Sequence, residues 1–509
     1  MTDAPARILA QSVEVEPAGE KEQPSAPMGA SLSAAMAWAE SRTSSFASMP
    51  SVASLPSQAS EPSDRAPGLR LLSFLCLVGS LEGADSVLLP CCFLALEVDL
   101  GLSLNDLAMM AMVQALAGNI ASPLWGVLAD RGTFRRKTII STGCIAQGFV
   151  TIVLAGVSTL LPMVLLRALN GALLASLRPI ANGIVADMTS DTNRGKVYGG
   201  MDIAMKIGIM AGTFIGTNMA RKQIFGTHGW RIAFIIVGVA SVLVGVFAFA
   251  FMEEPRRSSR ANAKGRGLGA VWAELRELLS YFRLPSFCVL IVQGCFGSVP
   301  WNALGYKTLF FQLRGLKDWE CALIDVFAQV AGCLGSMMGG AIGDSLTRCT
   351  KNHGRPITAQ ISVLAGIPVA WFIFMAAPSE DSAFTYYLIL MIVLGLTATW
   401  CGVGVNLPIL SEIVEGERRA TVMAWEGTLE SSCSAVFGNA MVGILAQNMF
   451  GYDLSETSSG DAEGNENIKA LGTALMLVSF FPWMLCFVCY TLLHWSYARD
   501  LTRIQLVRQ

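Results

Sequence analysis

The chain has 509 residues, of which 53% are apolar and 15% are charged, and its mean hydropathy is +0.51. A soluble domain of ordinary composition carries about 25% charged residues, so an ordinary soluble enzyme is excluded. The formal net charge of −2 gives no electrostatic reason to expect nucleic-acid binding. The thirteen cysteines lie mostly in apolar runs and show neither metal-ligand nor disulfide spacing. The composition predicts a polytopic membrane protein without metal or cofactor.

Residues 1–67 differ from the rest of the chain. Eleven serines fall between Ser31 and Ser63, interleaved with proline and alanine. Such a segment cannot bury enough apolar surface to offset its ordering entropy. We therefore predict a disordered N-terminal tail.

From Leu69 onward, twelve apolar runs recur, each about 20 residues long, which is the length that crosses a bilayer as a helix. The runs are centred on 70–96, 105–129, 138–158, 162–187, 197–219, 230–252, 286–311, 319–343, 356–377, 384–411, 421–447 and 470–496. The predicted organisation is a tail over 1–67, a six-helix bundle over 68–252, a linker over 253–285, a second bundle over 286–497 and a tail over 498–509.

The linker contains a helical pattern with Trp272, Leu275, Leu279 and Phe282 on one face. This pattern fits an amphipathic helix at the inner membrane surface. It fits equally well a helix packed beneath the two bundles.

Basic residues are distributed unequally between the two sets of loops. One set of loops, together with the C-terminal tail, carries 21 lysines and arginines, and the other set carries six. Because loops rich in basic residues stay on the cytoplasmic side, both termini are predicted to be cytoplasmic. Whether the membrane is the plasma membrane or an endosomal or vacuolar one stays open.

Two sequence patterns occur once in each half of the chain. A glycine and an aspartate four residues apart end the second and the eighth helix, at an offset of 214 residues. An acid seven residues before an arginine follows the fourth and the tenth helix, at an offset of 225. These residues are Gly126 and Asp130 with Gly340 and Asp344, and Asp187 and Arg194 with Glu412 and Arg419. The repeats predict two related bundles around a site near the membrane midplane.

The segment 126–137 reads GVLADRGTFRRK and resembles the signature loop of the major facilitator superfamily, with one extra residue before its basic cluster. That loop supplies Arg131, Arg135 and Arg136. Residues 167–171 resemble the family's fourth-helix motif, and residues 208–216 resemble its fifth-helix glycine motif, with a threonine in place of the usual proline.

Within the superfamily, the first helix resembles that of the Spinster-like lipid transporters because Glu82 and Asp85 precede a Leu-Pro pair. The sequence departs from that pattern at three positions: Ser86 replaces an arginine, Leu174 replaces a glutamate, and Arg178 is an added cation.

The resemblance implies an all-α membrane protein whose twelve transmembrane helices form two pseudo-symmetric six-helix bundles. It also implies that helices 1, 4, 7 and 10 line a central cavity. The implied partners are the lipid bilayer and a small-molecule substrate, with no nucleic acid. No cofactor is implied beyond a proton or other ion gradient. The oligomeric state is left open, and the resemblance implies a functional monomer.

Charged side chains inside membrane helices are costly unless they are paired or hydrated. Glu82 and Asp85 are three residues apart and are expected to share a face near mid-depth. Two close carboxylates in a low dielectric disfavour double ionisation, so one is expected to bind a proton and couple it to transport. The alternative is a permanent ion pair with Arg167 or Arg178. Arg178 could equally hold a carboxylate or phosphate of the substrate.

Four further residues on the cavity helices are candidate substrate contacts because they are polar or aromatic. They are Asn170, Asn302, Trp400 and Asn406.

Helices 5 and 11 each carry a pair of charged residues four apart, at an offset of 224. Asp202 and Lys206 can neutralise each other, whereas Glu426 and Glu430 cannot. Because these helices face the opposite bundle in the resembling fold, the pairs are expected to act as an inter-bundle latch. Arg131 or Arg135 is the expected partner of the two glutamates.

The sequence thus predicts a secondary active transporter of a small organic solute, working by alternating access and coupled to protons, and not an enzyme. One alternative is an uncoupled transporter of the same fold. Another is a membrane sensor or scaffold without transport activity that signals through its N-terminal tail. Deleting residues 1–67 separates these hypotheses, since a transporter should keep its uptake.

Overall fold

The computed structural model describes residues 68–130, 134–189, 191–253, 276, 279–376, 378–414, 419–453 and 461–508. The predicted tail over 1–67, Arg131 and most of the predicted amphipathic segment lie outside the described residues.

Twelve helices of the described chain are long and apolar enough to cross a membrane, which confirms the predicted fold class. In the first half they are α1 Leu69–Cys91, α2 Leu104–Asp130, α3 Arg136–Ala155, α4 Leu160–Leu174 and Leu177–Met188, α5 Asp191–Ala220, and α6 Gly229–Phe251. In the second half they are α7 Pro285–Gly297, Val299–Ala303, Leu304–Tyr306 and Lys307–Leu313; α8 Asp318–Cys349; α9 Gly354–Met375; α10 Ala383–Ala398, Gly402–Asn406 and Leu407–Ile413; α11 Arg419–Ser434, Ala435–Ala440, Met441–Gly443 and Ile444–Met449; and α12 Asp461–Arg508.

Three short elements lie outside the spans. A helix, Phe93–Leu100, follows α1, and a turn of 3-10 helix, Glu380–Ser382, precedes α10. Between α5 and α6, β1 Gln223–Ile224 pairs antiparallel with β2 Thr227–His228.

The first helix is shorter than the sequence predicted. It ends at Cys91, one residue after Pro90, and the chain continues as the separate helix Phe93–Leu100. That second helix ends at Gly101, whose φ of 62° places it in the left-handed region that favours glycine. The apolar run therefore continues beyond the membrane helix without a change in composition.

Close backbone contacts hold each bundle together. In the first bundle α1 packs on α5, α3 on α6 and α2 on α4; in the second α8 packs on α10, and α12 packs on α7 and α9. At the α1–α5 contact, a Cβ on Gly208 would collide with the carbonyl of Ser80, so only glycine permits this approach. Small residues at such contacts are the usual means of packing helices in lipid.

Several helices of the second half depart from regular α geometry. A stretch of 3-10 helix, Leu304–Tyr306, interrupts α7. Wide π turns occur in α10 at Gly402–Asn406 and in α11 at Ala435–Ala440 and Ile444–Met449. Such turns are rare and are frequent at functional sites.

We call the side of the membrane where α1 begins and α2 ends the basic face, and the other side the opposite face. The described hydrogen bonds and ion pairs between the two bundles lie at the opposite face or at mid-depth. At the opposite face they join Tyr452 Oη to Glu97 Oε2 at 2.9 Å, Arg221 Nη1 to Asp318 Oδ1 at 3.2 Å, and Asn105 Nδ2 to Asn448 Oδ1 at 3.1 Å. At mid-depth they join Asn119 to Ser431 and Lys206 to Gln329. The bundles therefore meet at the opposite face.

Candidate functional site

A cavity of about 590 Å³ lies between the bundles. Its walls come from α1, α2, α4 and α5 of the first bundle and from α7, α8 and α11 of the second. No residue of α10 is among its described lining; α10 instead lines an adjoining space between the bundles, which shares Trp301, Leu304 and Lys307 with this cavity. The cavity is framed by both halves of the chain, which is the position expected of a transport site.

The cavity wall carries an ion pair between α1 and α4. Arg178 Nε lies 3.0 Å from Glu82 Oε1, and the two side chains are 51% and 17% exposed. The arginine side chain is therefore half exposed, and part of its guanidinium group is accessible to a solute in the cavity. This is the paired arrangement that the sequence offered as an alternative.

Asp85 has surroundings different from those of Glu82. It is fully buried inside the first bundle, where Oδ1 accepts hydrogen bonds from Gln147 Nε2 at 2.8 Å and Thr151 Oγ1 at 3.0 Å. In the described part of the chain, Oδ2 has no hydrogen-bond partner. The expectation that the two carboxyl groups share one face is wrong, because Asp85 faces α3 while Glu82 faces the cavity and α4.

A chain of polar side chains links the cavity to Asp85. Arg167 donates to Gln114 Oε1, Gln114 Nε2 donates to Asn170 Oδ1 at 2.8 Å, and Asn170 Nδ2 donates to Thr151 Oγ1 at 3.0 Å and weakly to Asp85 Oδ1 at 3.5 Å. No ion pair within 4.0 Å joins Arg167 to a described carboxylate. Its Nε and Nη1 are buried and have no partner among the described residues.

A second ion pair lies on the opposite side of the cavity. Lys307 Nζ of α7 lies 3.0 Å from Asp325 Oδ1 of α8, and Thr308 Oγ1 donates to Asp325 Oδ2 at 3.2 Å. The described cavity lining therefore contains three cations and two carboxylates, which leaves a formal charge of +1. Arg167 is the cation without a paired acid.

Of the four polar and aromatic candidates, the structure brings only Asn302 into the cavity lining. Its Nδ2 donates to Ser434 Oγ at 2.6 Å, which ties α7 to α11. Asn170 is buried in the polar chain behind the cavity wall. Trp400 lies between α8 and α10, where Nε1 donates to Leu396 O, and Asn406 accepts a hydrogen bond from Tyr490 inside the second bundle. The expectation that these last two residues face the central cavity is wrong.

The latch predicted on helices 5 and 11 is not formed in this conformation. Asp202 is exposed and makes no ion pair with Lys206, whose Nζ instead lies 3.4 Å from Gln329 Oε1 of the other bundle. Glu430 packs against Gly294 of its own bundle rather than facing the other one. The described hydrogen bonds and ion pairs between the bundles lie at mid-depth and at the opposite face, so the structure shows no closed latch among the described residues nearer the basic face.

Of the predicted motif residues at the basic face, some have described side chains and others have only a described backbone. The backbone of Asp130, Asp187 and Arg194 is helical, whereas their side chains lie outside the described residues. Gly126 and Gly340 have no atom within 4 Å of the position a Cβ would take. Arg135 is exposed and precedes α3, and Arg136 is 5% exposed beside Gly183.

At the basic face of the second bundle, the repeat residues Glu412 and Arg419 have different partners. Arg419 donates to the carbonyl of Ser411. Arg355 of α9 instead joins both acids, with Nη2 at 3.4 Å from Glu412 Oε1 and Nη1 at 3.6 Å from Asp344 Oδ1. Tyr497 of α12 also donates to Glu412.

Comparisons with known proteins agree with this arrangement. The model of the Major Facilitator Superfamily matches residues 75–438. The chain is similar to the sphingosine-1-phosphate transporter SPNS2 of Danio rerio, at 24% identity over 71% of each chain.

Solved structures are also similar in fold. One is a bacterial homolog of the human lysosomal transporter Spinster, in an inward-facing and occupied conformation; it has a TM-score of 0.72 and 17% identity, covering 85% of this chain and 97% of that one. Another is a D-xylose-proton symporter, with a TM-score of 0.59 and 16% identity, covering 81% of this chain and 96% of that one.

Proposed function

The chain belongs to the Major Facilitator Superfamily, and on that premise we propose that it carries a small organic anion across the membrane by alternating access, linked to protons. The observation that carries this proposal is the cavity between the bundles, with its unpaired buried Arg167. A buried guanidinium with free N–H groups is a site for a carboxylate or phosphate.

The contacts between the bundles support an inward-facing state. They lie at mid-depth and at the opposite face, and the basic residues of the loops favour a cytoplasmic basic face. Both termini are then cytoplasmic. In the other half of the cycle, the contacts at the opposite face separate and the basic face closes, which gives the predicted latch residues a facing bundle.

We assign the proton to Asp85 and substrate contact to the Glu82–Arg178 pair. An ionised carboxylate buried without a cation is costly, whereas the neutral acid is tolerated. Asp85 is fully buried, makes no described ion pair, and is linked to Arg167 by the hydrogen-bonded side chains of Asn170 and Gln114. Proton binding at Asp85 and anion binding at Arg167 therefore act on one polar chain.

The substrate is best found by a thermal-shift screen on purified protein, since a ligand that binds the folded state raises its apparent stability. The first compounds should be organic anions with and without an apolar chain. Sphingosine 1-phosphate belongs among them because the Danio rerio relative is named for it. Neutral sugars provide the negative comparison.

Once a ligand is identified, the coupling of its transport to protons is tested in reconstituted vesicles. Asp85→Asn mimics the protonated acid, so accumulation driven by a pH gradient should disappear while counterflow exchange survives. Asp381→Asn, an exposed acid before α10, is the control that should keep both activities. If Asp85→Asn and Glu82→Gln both keep gradient-driven accumulation, coupling at this site is wrong. Wild-type uptake that ignores the pH gradient would favour uncoupled transport.

A further inference from the structure

The second bundle contains a pocket, lined by polar and apolar residues, that the proposed transport mechanism does not use. It has a volume of about 160 Å³ and lies between α7, α10, α11 and α12. Three residues of α10 that line it also line a larger cavity between α5, α8 and α10. These shared residues are Ala398, Cys401 and Gly402. The pocket is therefore adjacent to a space that lies between the bundles.

A buried carboxyl group faces this pocket. Glu430 Oε1 is buried and has no hydrogen-bond partner among the described residues. The side chain packs so closely on α7 that a Cβ on Gly294 would collide with it. One turn earlier, Glu426 is 6% exposed, and at four residues' spacing it lies on the same face of α11 as Glu430. Two carboxyl groups can share a hydrogen bond only if one of them holds a proton.

The other titratable groups near Glu430 offer no counterion. They are Cys295 of α7 and Cys486 and Tyr490 of α12. Each of these is neutral in its protonated form. The described surroundings of Glu430 therefore contain no cation that would stabilise a pair of carboxylates.

An unsatisfied donor on α7 lines the same pocket. Gln293 is 2% exposed, and its Nε2 has no partner in the described chain, while Oε1 accepts a hydrogen bond from Cys486 Sγ at 3.4 Å. An amide N–H and a carboxyl oxygen without described partners therefore lie on the wall of the same pocket, and a bound water molecule requires partners of this kind. The volume of the pocket admits several water molecules.

We propose that Glu426 and Glu430 form a second proton-binding site, in which the two carboxyl groups share one proton exchanged with water in this pocket. Binding converts one carboxylate to the acid, whose O–H donates to the remaining carboxylate. The site thus carries one negative charge instead of two within the membrane. The proposal extends the proton-linked mechanism, which places its proton at Asp85 in the other bundle.

The site is connected to the helices that surround it. Ser298 Oγ of α7 donates to the Glu430 carbonyl at 3.3 Å, and the π turn of α10 places Gly402 and Asn406 on the pocket wall. The next π turn of α11 starts at Ala435, shortly after Glu430. A change of charge at Glu430 therefore acts on three helices, two of which already carry wide turns.

The proton can be observed without any substrate. Infrared difference spectroscopy of the purified full-length protein, titrated from about pH 5 to about pH 9, detects the carbonyl band of carboxyl groups that stay protonated above about pH 4, where ordinary carboxyl groups titrate. We expect a component of this band that persists at neutral pH in the wild type and is lost in Glu430→Gln, in addition to the component of the buried Glu97, which Glu97→Gln removes. Glu426→Gln should shift its titration, because the neighbouring charge is removed. Glu253→Gln, an exposed acid on the basic face, is the matched control and should leave the band unchanged.

The site is absent if the folded variants Glu430→Gln and Glu426→Gln both leave the acid band and its titration unchanged. Should Glu430→Gln not fold, Gln293→Leu serves in its place. Removing the free amide should then change the position of the band, and an unchanged band overturns the proposal. The Asp85→Asn variant should retain this band, so loss of transport coupling at Asp85 and absence of the second proton site give different results.

Discussion

Closure of the opposite face should depend on pH through Glu97. This side chain is 6% exposed and accepts a hydrogen bond from Tyr452 of the other bundle at 2.9 Å. The pKa of Glu97 is raised from its ordinary value of 4.5 to about 8, chiefly by burial; the Tyr452 hydrogen bond lowers the pKa in part, and the negative charge of Asp453 adds a smaller increase. When the bundles separate at this face, water reaches the carboxyl group and its pKa returns towards the ordinary value.

The sign follows from the higher pKa of the closed state. Because the closed state binds the proton more tightly, protonation of Glu97 stabilises the closed state relative to the open state. This stabilisation is complete below pH 4.5 and is lost as the pH rises through about 8. Between pH 5 and pH 8 the closed state should lose roughly 3.5 kcal/mol relative to the open state, which changes the equilibrium between the two states by roughly 400-fold. In Glu97→Gln the side chain is neutral throughout, so this dependence should vanish.

Hydrogen–deuterium exchange of the purified protein measures this closure directly. After correction for intrinsic exchange rates, residues 93–101 and 446–453 should be better protected at the lower pH in the wild type and equally protected at both in Glu97→Gln. Tyr452→Phe should weaken protection while retaining the pH dependence, because the buried carboxyl remains. Asp381→Asn, an exposed acid on the same face, should behave as wild type. Equal protection of the wild type at both pH values, or a pH dependence that survives in Glu97→Gln, would refute the reasoning.

Two further predictions concern packing and gating. Gly208→Ala should lower the apparent Tm because the added Cβ collides with the Ser80 carbonyl, and we expect a loss of stability of about 1–3 kcal/mol. Gly199→Ala lies on the same helix, has no atom within 4 Å of the added Cβ and should be tolerated. Equal melting temperatures of the two variants would contradict this prediction. Asp130→Asn should reduce uptake while membrane insertion stays normal, since the signature loop is expected to brace the state in which the basic face is closed; wild-type uptake in a well-expressed variant would remove that role.

The membrane helices could be predicted from sequence because hydropathy over about 20 residues is a local property. The end of α1 was misplaced for the same reason, since the apolar run continues through Phe93 into a separate helix. Hydropathy records how long a run is and contains no information about where the chain turns within it.

Neighbours of individual side chains were harder to predict because they depend on helix rotation. A π turn adds a residue to one turn and rotates everything after it, so Asn406 points into the second bundle rather than the central cavity. Arg355 was recognised only as a basic loop residue, although it joins Glu412 and Asp344.

Among the polar side chains around Asp85, the sequence pointed to Asn170 but not to Gln114, Gln147 or Thr151. Gln114, Gln147 and Thr151 are neutral, and all three lie inside apolar runs. The sequence does contain a signal for these residues, because an amide side chain in a membrane helix also needs a hydrogen-bond partner.

The wide turns have a consequence for how the molecule deforms. All three described π segments lie in α10 and α11, and the described helices of the first half contain none. A regular helix resists bending along its whole length, whereas a wide turn is a local soft point at which the axis can pivot. We therefore expect the helices of the first half to stay straight during the conformational change, while α10 and α11 of the second half bend. Two bundles of matching topology would then differ in elasticity, and a probe of local flexibility should find the difference concentrated at two helices.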